Sequence, residues 1–110
     1  MFDIAANRAL LAHHLYGEGV EFGALDGPLR LPPYAKARYA DHMSNEQLAQ
    51  KYPTLNPIPV DIVLTGSDLS EIPDGSQDFL IANHVIEHLP NPIGALRLWE
   101  RKLKENGVLY

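Results

Sequence analysis

Val20-Glu21-Phe22-Gly23-Ala24-Leu25-Asp26-Gly27-Pro28 is the stretch on which the fold turns. Val20 and Phe22 suit a buried strand, Glu21 sits inside it, and Gly23 lets the backbone turn where a Cβ would clash. A glycine turn at the carboxyl end of a first parallel strand is where open α/β sheets bind nucleotide-like ligands. Two glycines four residues apart also occur in ordinary tight turns, so the rest of the chain must decide.

On the N-terminal side, Met1 to Tyr16 is expected to be a helix with Ile4, Leu11 and Leu15 on one face, Leu10 beside it and Gly17 as its cap. Asp3 near its start and His13 and His14 near its end suit the helix dipole. Adjacent side chains diverge on a helix, so the histidine pair reads as a solvated end rather than a metal site.

On the C-terminal side, Pro28, Pro32 and Pro33 make a regular helix improbable where a doubly wound fold places its first crossover helix. Lys36 to Ala40 is a second strand ending at Asp41. Ser44-Asn45-Glu46-Gln47 is a capping box that opens a helix running to about Tyr52, where Pro53 stops it. Val60 to Leu64 is a third strand and Phe79 to Ala82 a fourth, apolar throughout as a strand buried on both faces should be. Asn91-Pro92 starts a last helix, with Ile93, Leu96, Trp99 and Leu103 as its buried stripe and Asn106-Gly107 as its close. Val108 to Tyr110 begins a fifth strand. Strands alternating with crossovers call for a mostly parallel sheet, and right-handed connections limit the strand orders to a few.

Composition narrows the function. The chain has 110 residues, 45% hydrophobic and 21% charged, with a formal charge of −5. One small domain is expected. The acidic balance argues against a protein that tracks a nucleic-acid backbone. No apolar run approaches a membrane span, and the N-terminus has no signal-peptide pattern. Cysteine is absent, which excludes disulfides and thiolate chemistry and leaves the cytoplasm as the default location.

Asp41 lies eighteen residues after Gly23, at the end of the second strand. An acid about twenty residues beyond such a turn is placed to accept hydrogen bonds from ribose hydroxyls. With Val20 to Gly27 and Tyr39-Ala40-Asp41-His42 stand two further stretches, Ile72-Pro73-Asp74-Gly75-Ser76-Gln77-Asp78-Phe79 and Ile81-Ala82-Asn83-His84-Val85-Ile86-Glu87-His88-Leu89. Together, in this order, they resemble the N-terminal two-thirds of a class I S-adenosylmethionine-dependent methyltransferase. The resemblance implies a Rossmann-like open parallel sheet of order 3-2-1-4-5, lacking the C-terminal antiparallel strands of the full fold. It covers nearly the whole chain from Val20 onward; with the helix read at the N-terminus, one domain is expected over residues 1–110, the helix over 1–17 and the truncated core over 18–110.

The resemblance further implies that Glu21 faces the methionine end of S-adenosylmethionine, with backbone from Gly23 through Ala24 and Leu25 to Gly27 lining the same pocket. Asp41 would hold the ribose and His42 would lie along the adenosine. Asp68 and Leu69 would border the adenine, and Asn83 and His84 would flank the methionine and the reacting methyl. Attack on a sulfonium methyl needs mainly positioning and desolvation. His84 is the one nearby candidate for a general base, set against the plainer reading of a hydrogen-bonded histidine at a strand end. The methyl acceptor is not identifiable. Leu25 stands where the family usually has a third glycine, so the turn must differ locally.

Other readings stay open. His84-Val85-Ile86-Glu87-His88 matches the H-x-x-E-H pattern of inverted zinc peptidases. Pro90 and Pro92 break a helix that would carry it, and a third zinc ligand is not evident, so no metal is expected. The turn and ribose acid alone would also suit a nicotinamide dinucleotide. The chain stops where the family continues into a helix and an antiparallel pair. A non-catalytic cofactor-binding module is therefore an alternative to an enzyme, with an exposed fifth-strand edge expected to pair two copies.

Overall fold

A computed structural model describes residues 4–110. Its five strands form one parallel sheet of order β3-β2-β1-β4-β5. The expected α/β architecture and strand order are both present. β1 (Gly17–Phe22) is central, between β2 (Ala35–Asp41) and β4 (Gln77–Ile81). Alternation along β1 divides the core into two layers. Val20 and Phe22 pack with Ala40, Leu64, Leu69, Leu80 and Trp99 on one face. Phe79 and Ile81 pack with Ala12, Leu15 and Leu29 on the other. Phe79, Leu80 and Ile81 are fully buried, as expected of a strand covered on both sides.

The N-terminal helix is shorter than expected. The part placed on Met1 to Asp3 lies outside the described residues. α1 spans Ile4–Leu11 and tightens into a 3₁₀ turn over Ala12–His14. Leu15 is buried as expected, whereas Leu10 and Leu11 are exposed and Ala12 makes the other buried contact. Gly17 is not a helix cap. It opens β1 at φ +80°, where a Cβ would collide with the Asp78 carboxylate that accepts the Glu18 N–H at 2.9 Å.

Between β1 and β2 there is no helix, as the prolines require. α2 (Asn45–Lys51) begins at the expected capping box, Ser44 Oγ accepting from Gln47 N–H at 3.2 Å and Gln47 Oε1 from Ser44 N–H at 2.8 Å. β3 is reduced to Ile62–Val63, although Asp61 N–H and Leu64 N–H still donate to β2 carbonyls at 2.8 Å.

α3 (Pro92–Lys102) starts at Asn91, whose Oδ1 accepts from Gly94 N–H at 3.0 Å, with proline in the first turn. Its buried face agrees with the expected stripe at Trp99 and differs from it at Ile93 and Leu96. Ile93 is 61% and Leu96 37% exposed, while Ala95, Leu98 and Trp99 meet the core and Lys102 is buried against Asp74 at 2.8 Å. Leu103 belongs to β5 (Leu103–Leu109). Asn106-Gly107, expected to close the helix, forms a bulge in that strand. Asn106 takes φ +65°, and the register passes from Gln77↔Leu103 to Phe79↔Val108.

Candidate functional site

A cavity of about 450 Å³ opens at the carboxyl ends of β1, β2 and β3, the place where open α/β sheets take ligands. Phe22 and Gly23 reach it from β1, and Ala40, Asp41 and His42 from β2. Leu64, Ser67 and Leu69 form the wall beyond β3. The opposite wall is Val85 and Leu89 with the first turns of α3, where Gly94, Ala95 and Leu98 face inward. Trp99 stacks on Phe22 at the base, ring centroids 6.1 Å apart and planes 20° from parallel.

The turn after β1 is built by backbone geometry. Gly23 has φ +59° with open space around it, so the dihedral rather than crowding calls for glycine. Its N–H donates to Ala40 O at 2.9 Å, which ties the turn to the end of β2. Leu25 adopts φ +54°, a left-handed conformation that costs a side-chain-bearing residue about 1–2 kcal/mol. The position thus keeps a glycine-like conformation without glycine, and Ile58 N–H secures it by donating to Leu25 O at 2.7 Å. Gly27 N–H closes the turn onto Ala24 O at 3.0 Å.

Asp41 Oδ1 accepts the Met43 N–H at 3.0 Å, which fixes the carboxylate at the cavity wall. Leu69, at φ +53°, is buried and packs into the wall. The loop carrying it is closed by Glu71 Oε2, which accepts from the Thr65 hydroxyl at 2.6 Å and the Thr65 N–H at 3.1 Å. The hydroxyl bond is the main cause holding the Glu71 carboxyl below its ordinary value.

Gly23, Asp41, His42 and Leu69 therefore converge on one cavity. The remaining residues named from sequence lie outside its lining. Ala24 and Leu25 are half-buried within the turn, and Gly27 is exposed. Asp68 is exposed and turns its carboxylate onto Ser70 N–H at 3.3 Å. Asn83 follows β4 half-buried, and its Nδ2 is buried with no partner among the described residues. His84, at φ +54°, has an 87% exposed side chain, with Nδ1 3.5 Å from Glu87. Glu21 is 2% exposed on the sheet face opposite Phe22, and burial pushes its carboxyl above the ordinary value.

Sequence reading missed the α3 wall and Ser67. The signal for the wall was present in Ala95, Leu98 and Trp99, which recur at helical spacing. The H-x-x-E-H stretch forms a turn followed by a single 3₁₀ turn (Ile86–His88), not the α-helix that would bring His84 and His88 to one face. Among the described residues no group of three or more His, Cys, Asp or Glu could hold a metal ion, and no helix is long and apolar enough to cross a membrane.

Residues 20–110 match the family described as Methyltransferase domain. The chain belongs to that family. No curated protein sequence matches it. Among solved structures it is similar to the YcgJ protein of Bacillus subtilis, at 20% identity and TM-score 0.63 over 96% of this chain and 48% of that one. An arsenic(III) S-adenosylmethionine methyltransferase from Chlamydomonas reinhardtii is similar at 19% identity and TM-score 0.54, over 84% of this chain and 37% of that one. An S-adenosylmethionine-dependent methyltransferase from Leishmania major is similar at 14% identity and TM-score 0.58, over 89% and 42%. The shared feature is the fold, and the chain spans less than half the length of each of these structures.

Proposed function

We infer that the chain binds S-adenosylmethionine in the cavity at the ends of β1–β3 and serves methyl transfer to a nucleophilic acceptor. The observation that carries this reading is the meeting of the Gly23 turn and the Asp41 carboxylate at one cavity of about 450 Å³, a volume in the range of small-molecule sites. Bound there, the cofactor supplies a methyl group on a sulfonium sulfur. The Asp41 carboxylate accepts from the ribose hydroxyls, and His42 lies along the adenosine. Leu64, Leu69 and Leu98 enclose the adenine and exclude water. Asn83, which follows β4 beside the cavity wall formed by Val85 and Leu89, carries a buried amide without a hydrogen-bond partner among the described residues and is proposed to flank the methionine end. His84, solvent-exposed after β4, is the candidate general base for the acceptor proton.

Calorimetric titration with S-adenosylmethionine and S-adenosylhomocysteine tests this. Saturable binding is expected to weaken at least tenfold in Asp41→Ala, the loss of about 1.4 kcal/mol. Binding unaffected by that change removes the assignment, and preference for a nicotinamide dinucleotide replaces it with a dehydrogenase-like one.

Self-association is a second reading, favoured by β5 standing at the edge of the sheet with Leu109 39% exposed. Light scattering is expected to show dimers as concentration rises. A monomer throughout contradicts it.

A further inference from the structure

In a doubly wound sheet the glycine turn runs straight into a helix, whose first turn fixes its shape. Here residues 23–34 contain no helix, and the turn is tied down by separate hydrogen bonds. Gly23 is tied to Ala40 and Leu25 to Ile58 through backbone groups, at 2.9 and 2.7 Å. The far end is tied by a side chain: Leu29 N–H donates to the Glu21 carboxylate, 3.0 Å from Oε1 and 3.3 Å from Oε2.

This third tie is the buried one. Glu21 is 2% exposed and Leu29 4%, with the Leu29 side chain packed among Ala12, Leu15, Phe79 and Ile81. Glu21 is held in mid-sheet by pairing opposite Tyr39 and Ile81, on the face away from Phe22 and the cavity. Arg8 from α1 and Tyr39 from β2 are the charged and titratable groups acting on it there. A buried carboxylate is costly unless its oxygens are used, and this one spends both on a single amide of the loop it subtends.

We propose that Glu21 is a positioning residue, its buried carboxylate fastening the Leu29 amide so that the Gly23–Gly27 turn keeps its shape against the cavity without Glu21 touching the ligand. The consequence for binding rests on the cavity being the cofactor site; the fastening itself does not. A carboxamide at position 21 keeps one acceptor oxygen for Leu29, whereas alanine leaves that amide buried and unpaired.

The test combines amide hydrogen exchange with S-adenosylhomocysteine titration of wild type, Glu21→Gln and Glu21→Ala. The Leu29 amide is expected to be protected in wild type and Glu21→Gln. In Glu21→Ala it should exchange at least a hundredfold faster, with Val20 and Phe22 still protected. Affinity should fall tenfold or more in Glu21→Ala and stay within about threefold in Glu21→Gln. Equal losses in both variants with Leu29 still protected in Glu21→Gln would mean that the charge itself meets the ligand, and would overturn the proposal. So would wild-type affinity in Glu21→Ala. If wild type does not bind the probe, the proposed function fails, and exchange alone decides: faster Leu29 exchange in Glu21→Ala supports the fastener, unchanged exchange overturns it. If Glu21→Ala does not fold, an unprotected Leu29 amide in wild type overturns it, and retained protection and affinity in Glu21→Gln support it.

Discussion

The two crossovers that flank β1 and β4 do the same job by different means. From β4 to β5 the chain uses a regular helix, α3, capped by Asn91 and laid on the sheet through Ala95, Leu98 and Trp99. From β1 to β2 it uses an irregular segment in which Leu29 and Pro32 are buried and the backbone is tied at scattered points. A crossover must cover apolar sheet and satisfy its own backbone groups. A helix meets both needs at once, while the proline-rich connection meets them one contact at a time. The ligand-facing turn belongs to the second kind, which is why its shape depends on particular partners.

The sharpest way to break this contrast is to remove the apolar anchor of each crossover. Trp99→Ala deletes the ring stacked on Phe22 and should cost about 3–5 kcal/mol in denaturant unfolding. Leu29→Ala should cost less, about 2–3 kcal/mol, because an irregular segment can collapse around the lost side chain. A larger loss from Leu29→Ala would show that the helix-free crossover is the more rigid of the two.

Local signals made much of this architecture legible. The capping box at Ser44, the Asn91-Pro92 start, the proline block and the apolar run of β4 each act within a few residues; the first three formed where expected, and β4 formed over Gln77–Ile81, two residues ahead of the expected Phe79 to Ala82 at its start and one at its end. Features fixed by distant neighbours were read less well. Which face of α3 is buried depends on Phe22, far away in sequence, so the stripe was right at Trp99 but wrong at Ile93 and Leu96. Gly17 looked like a helix cap because the crowding carboxylate of Asp78 is invisible from its own surroundings. At the site, the spacing from Gly23 to Asp41 brought both to one cavity. The orientation of Glu21, Asp68 and His84 followed from burial and backbone dihedrals that spacing does not encode.

Electrostatics should sharpen the comparison by the smallest margin. Around β4 and α3, hydrogen bonds from Lys102 and Arg101 lower the Asp74 carboxyl, and the Glu18 N–H lowers Asp78. A group whose folded value lies below its unfolded value stabilises the fold above the ordinary carboxylate range, and that contribution is lost as pH falls through the folded value. Glu21 has the opposite sign. Burial raises its value, so its contribution is fullest below the ordinary range and shrinks as pH rises through the raised one. Urea unfolding across pH should therefore show a shallower acid loss in Asp74→Asn and a flatter slope just above the ordinary carboxylate range in Glu21→Gln. The Asp74 effect should be small, since its carboxylate is more than half exposed and solvent screens its ion pairs.

The central claim is that one cavity receives both the turn after β1 and the acid after β2. Amide chemical-shift mapping with S-adenosylhomocysteine tests it most directly. Saturable shifts are predicted at Gly23, Asp41, His42, Leu69 and Leu98, with Lys36 and Arg38 at the other end of the sheet unmoved. Shifts confined to that other end, or reaching Gly23 without Asp41, would contradict the account.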